Sequence, residues 1–199
     1  MKLLQMIEDN IKSGVDKAKK ELSTTVESVR PFTKPVDTYH IKQLGSSTSA
    51  RFTVSDSNKN IAYEFKPNFG FRVRNKFCTN DGKIVGSITA IGARHGIGME
   101  IVEGDASCGS VKYTREKLLT GSHTFKSEVP NWDIEKTLAG YSLKHNGEIA
   151  CTLTFLTIRH SKVEVYTKDH ATLALLMCLS ILLIKVLEWR SEKEASCGG

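Results

Sequence analysis

The 199-residue chain has few of the features that mark a secreted, metal-bound or catalytic protein. Its five cysteines, Cys78, Cys108, Cys151, Cys178 and Cys197, are odd in number and form no CxxC pair. That pattern argues against a disulfide framework or a zinc ribbon and for a reducing, cytoplasmic compartment. None of the eight asparagines lies in an N-x-S/T sequon, in keeping with the cytoplasm. The six histidines show no HxH, HExxH or His–Cys spacing, so no metal site is expected. There is no GxSxG, and Gly92, Gly96 and Gly98 make neither GxGxxG nor a phosphate-binding loop. Cys78 and Cys151 fall on expected strands and Cys178 in an apolar run, where a cysteine reads as a small core residue. The expectation is a protein that is not an enzyme and needs no cofactor.

Targeting signals are equally sparse. The apolar patch in Met1–Met6 is short and is cut off by Glu8-Asp9-Asn10, unlike a signal peptide. Met1-Lys2 does not fit N-myristoylation, and Cys197 stands third from the end, out of place for prenylation.

What is present is a globular composition, 40% hydrophobic and 25% charged, with a net charge of +6. A chain of this size can bury roughly 70% of its unfolded surface, enough for a full core. The positive excess suits anionic lipid or nucleic acid, and equally suits plain solubility.

The chain divides into an N-terminal amphipathic helix and linker (1–35), a β-rich body with a central helix (36–190, helix 169–189) and a tail (191–199). In the first stretch Leu4, Ile7, Ile11, Val15, Ala18, Leu22, Val26 and Val29 recur at helical steps, and Pro31 and Pro35 end it. This helix is open to three uses: docking on the body, pairing with a protein partner, or lying on a membrane.

Eleven candidate strands follow: Tyr39–Leu44, Ser49–Ser55, Ile61–Lys66, Gly70–Cys78, Lys83–Ala90, Gly98–Glu103, Ser110–Thr114, Ser122–Ser127, Thr137–Lys144, Ile149–Leu156 and Lys162–Tyr166. Asn80-Asp81-Gly82 and Asn146-Gly147 are hairpin turn signals, and Ser55-Asp56-Ser57-Asn58 reads as another turn. No long helical pattern interrupts the run, which implies an antiparallel meander.

After Asp169, Ala171–Ile184 holds no charge and leaves no polar face. A helix apolar all round is buried, in protein or in a bilayer. A bilayer span needs about 20 apolar residues, so a core helix and a C-terminal anchor both remain open. Size favours the core. A helix over 171–187 is about 25 Å long, and a wall of tilted eight-residue strands is roughly 20 Å high. About twelve such strands give a radius near 12 Å, against about 8 Å for eight. Only the larger barrel holds a helix with a half-width of about 5–6 Å.

The strand series from Tyr39 to Tyr166, the turn Asn80-Asp81-Gly82-Lys83-Ile84 and the final helix Asp169–Trp189 together resemble the tubby C-terminal-like superfamily. Tubby proteins, LURP-one-related proteins and phospholipid scramblases share that fold. The resemblance implies a closed antiparallel barrel of about twelve strands around a C-terminal hydrophobic helix. It also implies lipid or membrane association. The proline-rich leader and clustered cysteines of scramblases are missing. Val163–His170 offers only Glu164 and Asp169 as acids, too few for a calcium loop.

The strongest binding signal is FGFRVRNKFC, Phe69–Cys78. Alternation puts Phe69, Phe71, Val73 and Phe77 on one face and Arg72, Arg74 and Lys76 on the other. Three cations spaced about 7 Å apart match phosphates, and the arginine fork suits them. Lys112, Arg115 and Lys117, with Arg94 and His95 in a glycine-rich loop, form a second basic group. The bland alternative for both is an ordinary charged outer face. Trp132 reads as a core or lid residue, or as an interfacial anchor.

The expected function is therefore a non-catalytic, membrane-associated module that binds phosphoinositide or anionic phospholipid, or serves as an adaptor. Two alternatives stand beside it: a scramblase-like protein with its C-terminal helix in the bilayer, and a DNA-binding regulator. A carrier for an apolar ligand would need an empty cavity, which the central helix is expected to fill.

Overall fold

The structure, a computed structural model, describes residues 34–45, 51–67, 73–93, 96–115 and 123–196. The chain divides into two compact units, Met1–Lys34 and Pro35–Gly199. The helix expected over the first thirty residues lies outside the described residues.

The second unit is a β-meander wound around a helix. Its strands are β1 (Asp37–Leu44), β2 (Arg51–Ser55), β3 (Ile61–Phe65), β4 (Arg74–Thr79), β5 (Ile84–Ala93) and β6 (Gly96–Glu103). They continue as β7 (Ala106–Arg115), β8 (His123–Ser127), β9 (Trp132–Lys136), β10 (Gly140–His145), β11 (Glu148–Thr157) and β12 (His160–Val165). The helix α1 (Ala171–Ser196) follows.

Every pairing is antiparallel, in the order β8-β7-β6-β5-β4-β3-β2-β1-β12-β11-β10-β9. The first and last strands thus lie side by side, with Ile41 opposite Ser161. The two ends of the ladder, β8 and β9, are consecutive in the chain, so the barrel is nearly closed. Inside that seam the Phe125 ring meets the Tyr141 ring edge-on, centroids 5.0 Å apart.

The expected turns form where their residues allow. Asn146 and Gly147 both take positive φ, 53° and 84°, and turn β10 into β11. Asp56 caps the β2–β3 turn by accepting from the backbone N–H of Asn58 at 2.9 Å and of Asn60 at 2.8 Å.

One strand escaped the sequence. β9 pairs Ile134 with Leu143 and Trp132 with His145. It is short and carries three charges, and it follows Pro130-Asn131, so its pattern reads as loop. Only Trp132 and Ile134 supply its inward alternation.

The core is built by α1. Residues Ala174 to Ile181 are all 0% exposed, which settles the all-round apolar pattern as a barrel core. Ser180, the one polar residue in that run, donates its hydroxyl to the Leu176 carbonyl at 2.8 Å. Around it stand Ile41, Phe52, Phe65, Phe77, Ile88 and Leu153, all buried. Gly86 lets the helix approach the wall: a Cβ there would lie 2.7 Å from Leu176 Cδ1. Moving this helix into a bilayer would empty the barrel.

Candidate functional site

In an antiparallel meander, alternate connections emerge at the same end. The odd-to-even connections, including residues 137–139 between β9 and β10 and 158–159 between β11 and β12, share the end where α1 leaves the barrel. The even-to-odd connections share the end where α1 enters it. The two ends differ in packing and in charge.

The entry end is sealed. Trp132, 3% exposed, stacks on His145 with centroids 5.1 Å apart and meets the His170 ring edge-on at 6.1 Å. Trp132 is thus a core residue, and the interfacial reading falls. Acids prevail here: Asp56, Asp81, Asp105, Glu128 and Asp169 lie in the connections, against Lys59, Lys83 and Lys168.

The exit end is open. A cavity of about 430 Å³ lies between α1 and the wall formed by β1, β2, β11 and β12. Its apolar lining includes Ile41, Phe52, Phe155, Leu182 and Val186. Gln43, Thr157 and Ser161 supply polar atoms, and Lys185 and Arg159 supply the charge. The helix therefore fills the middle of the barrel, as expected, but leaves space at this end. On this side the helix presents Leu182, Lys185 and Val186 to the space.

Lys185 is held at the cavity mouth by its own chemistry. Its ammonium sits 3.8 Å from the centroid of the Phe155 ring. Neighbouring apolar surface and then Lys136 push its pKa below the usual lysine value, while Glu188 opposes them. Glu188 is itself bonded to the Tyr113 hydroxyl.

The rim combines cations and apolar tips. Among described residues, the strand termini and connections at this end carry Arg51, Lys66, Arg74, Lys136 and Arg159 and no acid. Lys66 is partnered by Glu64 at 3.6 Å. Ile158 is 94% exposed at the β11–β12 tip, and Leu138 is 66% exposed on the neighbouring β9–β10 tip. Among described residues, the sealed end offers Val36, Ile61 and Ile84, at 40–47%.

The residues singled out from sequence are dispersed. Arg72 lies outside the described residues. Arg74 and Lys76 both project from the outer side of β4 and are exposed. Arg74 Nε donates to Ser87 Oγ at 2.8 Å. Lys112 stands on β7, three strands away, about 14 Å at the usual strand spacing. Its ammonium is bonded to Glu128, which also accepts from Ser110 Oγ at 2.6 Å. Those bonds, Lys112 first, hold the Glu128 carboxyl below its ordinary pKa. Arg115 ends β7 opposite His123. The fold thus keeps Arg74 with Lys76 and sets Lys112 apart from them.

Sequence reasoning missed Phe155, Ile158, Arg159 and Lys185 as neighbours. One signal was available. Ile158 stands in a two-residue turn, where polar residues or glycine are usual.

No family model and no curated protein matches the chain. Among solved structures, an X-ray structure of an Arabidopsis thaliana protein is similar at 13% identity, with a TM-score of 0.47. That match covers 77% of this chain and 94% of the Arabidopsis one.

Proposed function

We propose that the protein is a non-catalytic module that docks on anionic phospholipid surfaces through the open end of its barrel. The observation that carries this reading is the coincidence, at one end, of exposed Ile158 and Leu138 with a rim that is cationic among the described residues. Apolar tips enter the headgroup boundary, and cations near an anionic leaflet each contribute about 1 kcal/mol. Arg74, from the basic row on β4, belongs to this rim. Lys76 and Lys112 lie further along the wall. The tubby-like resemblance, which implies lipid association, agrees with this reading, and phosphoinositide is the most highly charged headgroup it includes.

Sedimentation of the full chain with vesicles tests it. Phosphatidylcholine vesicles with and without phosphatidylserine or phosphoinositide are compared across a salt series. Binding to the anionic vesicles that declines with salt is expected. The double variant Ile158→Glu, Arg159→Glu should release the protein, whereas Lys59→Glu at the sealed end should not. Absence of binding at low salt, or equal binding by both variants, overturns the reading. Binding to duplex DNA with a steep salt slope and none to vesicles would replace it with a nucleic-acid role.

A further inference from the structure

We propose that the open-end cavity binds a long-chain fatty-acid anion, its aliphatic chain between α1 and the β1–β12 wall and its carboxylate toward Lys185 and Arg159. This goes beyond surface docking, because it assigns an internal site and a monomeric ligand.

Three features of the cavity point to this chemistry. Its volume of about 430 Å³ falls in the range of roughly 300–1,000 Å³ typical of small-molecule sites. Its interior is mainly aliphatic and aromatic, with Ile41, Phe52 and Val186 buried behind it. An apolar chain placed there leaves water at little cost in lost hydrogen bonds.

The polar groups are cationic or hydrogen-bonding, and no acid lines the cavity among the described residues. Glu188, the nearest acid along α1, is engaged by the Tyr113 hydroxyl. An anionic head would therefore meet two cations with no competing carboxylate in the lining. Gln43, Thr157 and Ser161 add groups able to donate hydrogen bonds.

Lys185 also links the head to the chain. Its stem lies along the apolar lining while its ammonium faces the mouth over Phe155. A carboxylate beside it favours the ammonium, which the apolar surroundings disfavour. A neutral apolar molecule of the same length would add no charge partner for Lys185 or Arg159. The committed ligand is accordingly an amphipathic anion with a single chain.

Calorimetric titration of the full chain with dodecanoate, held below its aggregation concentration and without vesicles, tests this. One-to-one binding is expected, about tenfold tighter than that of dodecanol, as one charge-assisted contact provides. Lys185→Gln should weaken dodecanoate by about tenfold and leave dodecanol unchanged. Leu182→Trp, which occupies the cavity, should abolish both. Lys185→Gln changes an exposed side chain and keeps the test decisive if the tryptophan variant does not fold. No binding by the wild-type chain, equal binding of acid and alcohol, or indifference to Lys185→Gln overturns the proposal. Because no membrane is present, failure here is separate from failure of vesicle docking.

Discussion

The two ends of the barrel use the same hairpin architecture for opposite purposes. At the end where α1 enters, Trp132, His145 and His170 stack into one aromatic plug, and turns such as Asn146-Gly147 close tightly. At the end where α1 leaves, Leu182, Lys185 and Val186 stand back from the wall and a cavity remains. The first end contributes stability, and the second gives up packing for accessible apolar surface. One helix serves both ends, and an exposed charge, Lys185, enters its cavity-facing side only at the second.

The largest effect that would sharpen this contrast is at the plug. Trp132→Ala should lower stability by about 3–5 kcal/mol in urea unfolding, because a fully packed aromatic leaves a cavity. Ile158→Ser at the open tip should fall within about 0.5 kcal/mol, as for a surface site outside the core. Equal losses at the two positions would remove the distinction between a sealed and an open end.

A smaller effect is expected midway along the helix. Gly86→Ala puts a Cβ 2.7 Å from both Leu176 Cδ1 and the Val102 carbonyl. Overpacking of this kind costs about 1–3 kcal/mol, read as a shift in the urea midpoint. An unchanged midpoint would mean that the wall yields around α1 and that the helix is held less tightly than the sealed end implies.

The smallest effect concerns pH and lies on the outer wall, where β12 begins beside the open end. His40 Nδ1 and His160 Nε2 are 3.2 Å apart on neighbouring strands β1 and β12. Desolvation, then the charges of His40 and Lys42, pull the His160 pKa below 6.5. Lys162 and Glu164 lie on the same face and are paired with each other at 3.0 Å. A histidine with a lowered folded-state pKa binds fewer protons in the native than in the unfolded state. Stability should therefore fall as pH drops from 6.5 toward the native pKa, and change no further on this account below it. Comparing urea midpoints of the wild type and His160→Gln across that window checks it. A variant with the same slope would assign the pH response to other groups.

Much of the fold was legible because its signals are local. Asn80-Asp81-Gly82 and Asn146-Gly147 carry their turn chemistry within two or three residues. The all-round apolar run of α1 needs a surrounding wall whatever its partners are. The strand β9 was not legible, because Trp132 and Ile134 are too few to establish a period beside Asp133, Glu135 and Lys136. The candidate site was legible only in part. Alternation assigned Arg74 and Lys76 to one face, since side chains alternate along any strand. It could not tell that Lys112 lies three strands away and is bonded to Glu128, because strand order and register are non-local.

The sequence by itself determined the antiparallel meander, its main turns and a helix that must be buried. Period, turn chemistry and unbroken hydrophobicity act over a few residues and need no knowledge of neighbours. Only the tertiary structure decided that this helix fills a barrel and leaves one end open. It alone brought Phe155, Arg159 and Lys185 to the same cavity. Phe155 and Arg159 share the β11–β12 hairpin, and the passage of α1 through the barrel brings Lys185 to them.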